Sequence, residues 1–445
     1  MHGQTARSVP APCNGGFFLG QRTVLQHIQR LGAFGASVVI TTIVGLVAIP
    51  VVIANAGGET WGVIALGQSA ALLFGVLVSF GWGTVGPAMV AGMPAPDRPQ
   101  MFVDSLVSRV YLFAVTAPIA ALTVWLIAED GSGPVAVLAC LAYLIPFLGA
   151  SWFFVGDARP GRLLVFDTLP VTLGTVFGLV GLVLTGNVFV YLAIQLAMNL
   201  LGVVVSGLLI RNRSAAVPRF DFHIGRAFRR LGGQRHGVIT AATSSLYVNT
   251  PILVVGAVIP GALAVYAMAE KFFKYGLTAV GPVVQVLQGS IADPDRVRQN
   301  ARIRVAARWS PLAAAFCAVV MALCIPWASS LLSQGEIQVG LDLSVPMGVV
   351  FGAVAVSQVV GLACLIPLGE GRALAVSTVL GAAIGVPLIV IGALTLGVSA
   401  VAWAVAVSEL AVAVYQLGVV RRYFRRQPKS THVSQDGKQA PVERP

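Results

Sequence analysis

The chain has 445 residues, 57% of them hydrophobic and only 10% charged, with a formal net charge of +12 and a mean hydropathy of +0.85. A soluble domain carries about 25% charged residues because its surface faces water, so this composition excludes a water-soluble globular protein and calls for a lipid-facing one. In that setting the basic excess belongs to loops beside an anionic leaflet, and no nucleic-acid partner is needed to explain it.

Residues 1–30 contain Arg7, Arg22 and Arg30 without a short apolar core ending in a cleavage site, so a removable signal peptide is not expected. A helix needs roughly 20 apolar residues to cross the hydrocarbon core, and such runs follow almost continuously from Leu31 to Val420. The first half reads as spans 31–54, 61–91, 104–127, 134–155, 164–185 and 188–210. The second half reads as 236–258, 261–291, 310–332, 342–367, 373–395 and 398–420. The long second and eighth spans are expected to tilt or to protrude. The expected fold class is therefore all-α, a polytopic transmembrane bundle of about 12 helices. It divides into a cytoplasmic segment 1–30, a six-helix lobe 31–210, a basic linker 211–235, a second six-helix lobe 236–420 and a basic tail 421–445.

Orientation follows from the cations, which concentrate in loops retained in the cytoplasm. One side receives Arg98, Arg159, Arg162, the arginines of 211–235, Arg296, Arg298, Arg302, Arg304, Arg308 and Arg372, and both tails. The opposite loops carry Glu59, Glu129, Asp130, Glu336 and Asp342 and neither Lys nor Arg. An early miscount of one helix would destroy this asymmetry. It places both termini in the cytoplasm and the protein in the cytoplasmic (inner) membrane.

The halves also resemble each other. WGVIALGQSAALLFG (61–75) and LAVYAMAEKFFKYG (263–276) superpose under a shift of 202 residues, which sets Val63 on Val265, Ala65 on Ala267 and Gln68 on Glu270. Six spans per half make the repeat parallel, about an axis along the membrane normal, a layout of transporters that rock two lobes around a central site.

Charges at membrane depth are costly and usually face protein or water. In the eighth span Glu270, Lys271 and Lys274 lie roughly 14–20 Å from the helix start. Glu270 and Lys274, four apart, share a face and can pair, which leaves Lys271 without a local partner. Lys271 and Lys274 are therefore candidates to line a hydrated cavity and attract an anionic group; the alternative is an internally neutral structural pair plus a snorkelling lysine. Glu409, about eleven residues into the last span, is a candidate to bind a coupling H+ or Na+ or to partner Lys271. Asp167 is a further coupling candidate, and Arg109 a candidate for substrate access from the cytoplasm, although a solvated helix end explains either. Gln68, Ser69, Gln195, Asn199, Asn249 and Thr250 are uncharged polar residues at depth, ordinarily used in hydrogen bonds between helices; Gln68 and Asn249 are also cavity candidates.

Enzymatic signatures are missing. The five histidines and five cysteines show no metal or disulfide spacing, no Gly-Lys-Ser/Thr phosphate loop is present, and no extracytoplasmic loop offers room for catalytic machinery. Neither an enzyme nor a cofactor is expected.

Three stretches carry a family resemblance: IPVVIANAGGETWGVIALGQS (49–69), SWFFVGDARPGRLLVFDTLP (151–170) and VYAMAEKFFKYGLTAVGPVVQVLQGSIA (265–292). The first resembles the start of Wzx-type polysaccharide flippases of the multidrug/oligosaccharidyl-lipid/polysaccharide superfamily, and the last is similar to that family's Tyr-Ala-x-Ala-x-Lys segment. The resemblance implies a flippase that carries an undecaprenyl-pyrophosphate-linked oligosaccharide between leaflets by alternating access. It further implies Lys271 on the pyrophosphate or sugar acid, and a polysaccharide polymerase and glycosyltransferases as partners. Asn249 and Thr250 stand where many relatives place an acid, which puts a coupling carboxylate there in doubt. A small-molecule or drug:cation antiporter of the same superfamily is the alternative, and would favour an acidic, aromatic-lined cavity.

Overall fold

The computed structural model describes residues 16–212, 218–232 and 235–426, and among them every regular element is helical. The ends of the chain and parts of the expected linker, 213–217 and 233–234, lie outside the described residues.

The first half contains α1 (Gly16–Ala56), α2 (Gly58–Ser79), α3 (Trp82–Gly92), α4 (Arg98–Ile127), α5 (Gly133–Leu144), α6 (Ser151–Gly156), α7 (Pro160–Leu163), α8 (Leu169–Thr185) and α9 (Val188–Asn212). After α10 (Ile224–Leu231) the second half follows as α11 (Arg235–Val258), α12 (Leu263–Ile291), α13 (Arg296–Leu332), α14 (Leu341–Gln358), α15 (Gly371–Thr395) and α16 (Val398–Arg426). Ten spans built from these helices are long and apolar enough to cross a membrane, and the chain is a multi-pass membrane protein. Two more helices, α11 with 24 residues and α12 with 29, have the length, but α12 carries Glu270, Lys271 and Lys274 in its middle.

Several expected spans are interrupted or shifted. The second, read as one run over 61–91, ends at Ser79: Phe80 and Gly81 both take left-handed conformations (φ 42° and 79°), and the chain restarts as α3. A glycine admits this conformation without steric cost, and hydropathy does not register it. The ninth begins not at 310 but at Arg296, as one helix of 37 residues.

The fourth span, read as 134–155, breaks after Leu144 into a 3₁₀ turn over Ile145–Leu148 and resumes at Ser151. Pro146 cannot donate to the helix ladder, and freed carbonyls in a membrane need donors from within the protein. Arg109 of α4 supplies them: its Nη1 donates to Phe147 O at 3.1 Å and Gly149 O at 2.8 Å, and its Nη2 to Ser105 Oγ at 3.3 Å. The guanidinium is fully buried, with its carbon 5.8 Å from the Phe102 ring centroid and 5.5 Å from that of Trp152. π-helical turns over Leu164–Thr168 and Val359–Leu365 are gentler interruptions of the fifth and tenth spans.

α2 and α12, the helices paired by the sequence repeat, lie against each other. A Cβ placed on Gly62 would sit 3.0 Å from Ala264 Cα, and the two positions differ by the repeat shift of 202. Helices that flank a two-fold axis meet in this way, and the small residues allow the approach. The largest apolar cluster runs through α1, α2, α5, α9, α11, α12, α14 and α16, so both halves share one core.

The two ends of the bundle are held differently. At the end without cations, Glu336 in the loop before α14 accepts a 2.5 Å hydrogen bond from Gly58 N; a carboxylate at the N-terminus of α2 also meets the positive end of the helix dipole. At the basic end Asp157 takes Arg98 at 2.7 Å and Arg159 at 2.9 Å. There α10 docks on α4 through Ser108 Oγ donating to Ala227 O at 3.2 Å. Asp295 caps α13, accepting from Val297 N at 2.9 Å, and the hydrogen bond from Arg298, with this backbone one, holds its carboxyl below the usual range.

Candidate substrate cavity

Tyr266 to Glu270 of α12 are buried, whereas Lys271 to Tyr275 are half-buried along its next turn. There Lys271 Nζ donates to Gln68 Oε1 of α2 at 2.5 Å. Both side chains line a cavity of about 290 Å³ enclosed by α1, α2, α5, α8 and α9 on one side and α12 on the other. Its polar surface comes from Thr41, Gln68, Tyr143, Thr172, Thr175, Tyr191, Lys271 and Tyr275, between apolar positions such as Trp61, Val44 and Ile49. No carboxylate is among the lining residues.

The polar wall is fixed from behind. Tyr143 and Tyr191 hydroxyls lie 3.3 Å apart. Thr175 Oγ1 donates to Gln195 Oε1 at 2.8 Å, Gln195 Nε2 to Asn199 Oδ1 at 3.2 Å, and Asn199 Nδ2 to Ala142 O at 2.8 Å. Gln195 and Asn199 thus join α8, α9 and α5, the ordinary use of an intramembrane amide. Tyr275 closes the seam between α1 and α12, its hydroxyl 3.1 Å from where a Cβ of Gly45 would stand, so the small residue makes room for it.

Around the helix from Lys271 lies a second polar cluster. Lys274 Nζ is 3.2 Å from Glu270 Oε1 and donates to Asn249 Oδ1 at 3.4 Å. Asn249 Nδ2 donates to Ser245 O at 3.0 Å, and Ser245 Oγ to Leu72 O at 3.1 Å. The chain of contacts ties α12 to α11 and α2. Of the five sequence-derived cavity residues, Lys271 and Gln68 line the cavity, while Glu270, Lys274 and Asn249 form this neighbouring cluster.

The remaining candidates lie elsewhere. Arg109 supports the broken α5 and lines no part of the cavity. Asp167 sits in the π turn beside that break, its Oδ1 3.2 Å from where a Cβ of Gly149 would stand. Glu409 is half-buried on α16, off the cavity wall. Sequence reasoning missed the three tyrosines; a phenol inside an apolar span was the signal, since its hydroxyl needs a partner there. Among the described residues no cluster of His, Cys, Asp and Glu can hold a metal ion.

No protein-family model and no curated relative matches the chain by sequence. Solved structures do match it. The lipid II flippase MurJ in an inward closed conformation superposes with a TM-score of 0.67 at 11% identity, over 87% of each chain. An inward-facing multidrug resistance MATE family transporter of the MOP superfamily gives 0.55 at 14% identity, over 86% of this chain and 94% of that one. A point mutant of the Vibrio cholerae MATE transporter VcmN gives 0.53 at 13% identity, over 90% and 97%. The chain therefore shares its fold with these structures. Within that fold, a lipid flippase and drug transporters are both among the structures it resembles.

Proposed function

We propose that this chain is an alternating-access flippase, in which a lobe of six spans on either side of the central cavity rocks to carry an undecaprenyl-pyrophosphate-linked oligosaccharide from the cytoplasmic to the outer leaflet of the inner membrane. The observation that carries the reading is Lys271, a cation in a cavity without carboxylates, held by one neutral amide. A pyrophosphate–sugar head group cannot cross hydrocarbon unaided. A lysine, three phenols and threonine hydroxyls offer its charge and its hydroxyls replacements for water, while the lipid tail stays in the bilayer. The contact between Glu336 and Gly58 fits a state closed at the outer end, and rocking of the two halves would break it. Both termini face the cytoplasm in this reading, H+ or Na+ coupling runs through Glu270, Glu409 or Asp167, and polymerase and glycosyltransferases are the partners.

The test is Lys271→Ala in cells that depend on the protein for surface glycan. The expected result is lipid-linked oligosaccharide accumulating on the cytoplasmic leaflet at normal protein levels, with Lys271→Arg partly active because charge is kept and geometry is not. Normal surface glycan in the Ala variant would remove Lys271 from the substrate site. Altered drug efflux would favour the antiporter, a reading supported by the MATE likeness and by the buried carboxylate of Glu270.

A further inference from the structure

At the basic end, α13 and α16 enclose a second pocket of about 330 Å³ that shares no lining residue with the cavity. Arg304 and Arg308 line it from α13, Arg421 and Arg425 from α16. Each pair is spaced four apart, so each presents two like charges on one helix face, an arrangement unfavourable by itself. Arg304 is fixed in place by stacking over Phe424, 4.5 Å from the ring centroid.

Other arginines at this end have carboxylates: Arg98 and Arg159 share Asp157, Arg226 has Asp221, Arg298 has Asp295 and Arg302 has Asp293. No carboxylate lines the pocket between α13 and α16, and no salt bridge to its four arginines is found among the described residues. Four guanidiniums around one space match the geometry of a phosphate, whose oxygens accept forked pairs of hydrogen bonds.

The faces below the arginines say where that phosphate comes from. On α13 the stripe Arg304–Arg308 continues at the same spacing into Leu312 and Phe316, both exposed. On α16 the stripe Arg425–Arg421 continues through Leu417, which lines the pocket floor, to exposed Leu410 and Val414. Cations above and two apolar tracks below are the dimensions of a phospholipid: head group in the pocket, acyl chains along the helices.

We propose that the pocket between α13 and α16 is a binding site for the phosphate head group of an anionic phospholipid of the basic-side leaflet, separate from the transport cavity. Bound there, the lipid phosphate offsets part of the charge of the four arginines and fastens the last helix of the chain to α13.

The full-length protein is purified and reconstituted into nanodiscs of phosphatidylglycerol or phosphatidylcholine, and the lipids retained on release are counted by native mass spectrometry. A photoreactive phosphatidylglycerol maps the contact without any variant. The expected result is a crosslink in residues 304–316 or 410–425. Arg421→Gln combined with Arg425→Gln should weaken retention of phosphatidylglycerol about tenfold, the loss expected for one or two charge-assisted hydrogen bonds. Arg298→Gln with Arg296→Gln, the same change in net charge outside the pocket, should leave retention within about twofold. Equal loss in that control, or crosslinks spread over the basic surface, would reduce the site to general surface attraction and overturn the proposal. Displacement by millimolar inorganic phosphate would assign the pocket to a free anion, and would overturn the lipid.

Discussion

Lys271 and Lys274 stand three residues apart on α12, one helical turn of the same hydrophobic segment, yet their surroundings divide them. Lys274 is 3.2 Å from the carboxylate of Glu270, which is 7% exposed, and it also donates to Asn249. Its charge is consumed inside the protein. Lys271 meets a neutral amide, Gln68, and the open cavity. An amide orients an ammonium without cancelling it, so the field of Lys271 remains for whatever occupies the cavity. A charge within a membrane span thus becomes structural or functional according to the group 3 Å away, and depth alone does not decide.

Substitutions can break this contrast. The largest effect on stability is expected from Lys274→Ala, which leaves Glu270 buried without its cation. Loss of one partner of a buried pair costs about 3–5 kcal/mol, and the quarter exposure of Lys274 brings the expectation to about 2–4 kcal/mol. Thermal unfolding in detergent measures it, and adding Glu270→Gln should recover part. Next comes Gly62→Val, which drives a side chain into Ala264 and should cost about 1–3 kcal/mol as overpacking; it should also lower transport, because the same two helices hold Gln68 to Lys271. Lys271→Ala should change stability by less than about 1 kcal/mol, since the side chain packs into open space, in contrast to its expected effect on transport. A destabilised Lys271→Ala beside an unaffected Lys274→Ala would reverse the two roles. The smallest effect is expected from Gln68→Leu: the ammonium loses its guide but not its charge, so transport should fall about three- to tenfold, the worth of one hydrogen bond, at unchanged protein level.

The sequence showed much of this arrangement because membrane crossing restricts the chain so severely. Apolar runs marked the spans, the spacing of Glu270 and Lys274 foretold their pairing, and the 202-residue shift set side by side two helices that do meet at Gly62 and Ala264. Breaks within spans were harder to read. Hydropathy is blind to backbone direction, so the left-handed turn at Phe80 and Gly81 reads as continuous helix, whereas Pro146 marks a kink in its span without showing that the helix stops there. Asn249 shows a different gap: the sequence marks it as a polar residue within a span, but which side of α12 it meets depends on how α11 is rotated, a matter of packing between distant segments. For the same reason Tyr143 and Tyr191, far apart in the chain, gave no sign that their hydroxyls would meet across one cavity.

The support that Arg109 gives to the broken α5 has a consequence for how the protein is made. An arginine within a span disfavours its insertion, by less towards a helix end than the roughly 2.5–3.5 kcal/mol of the centre, and the carbonyl oxygens of Phe147 and Gly149 that offset this belong to chain not yet synthesised. Gly149 follows Arg109 by 40 residues, about 2–8 s of elongation at roughly 5–20 residues per second. During that interval α4 offers its guanidinium the hydroxyl of Ser105 but not the two carbonyls. Its stable residence in the bilayer therefore waits for the next span, and the two should leave the insertion machinery as a pair rather than in turn.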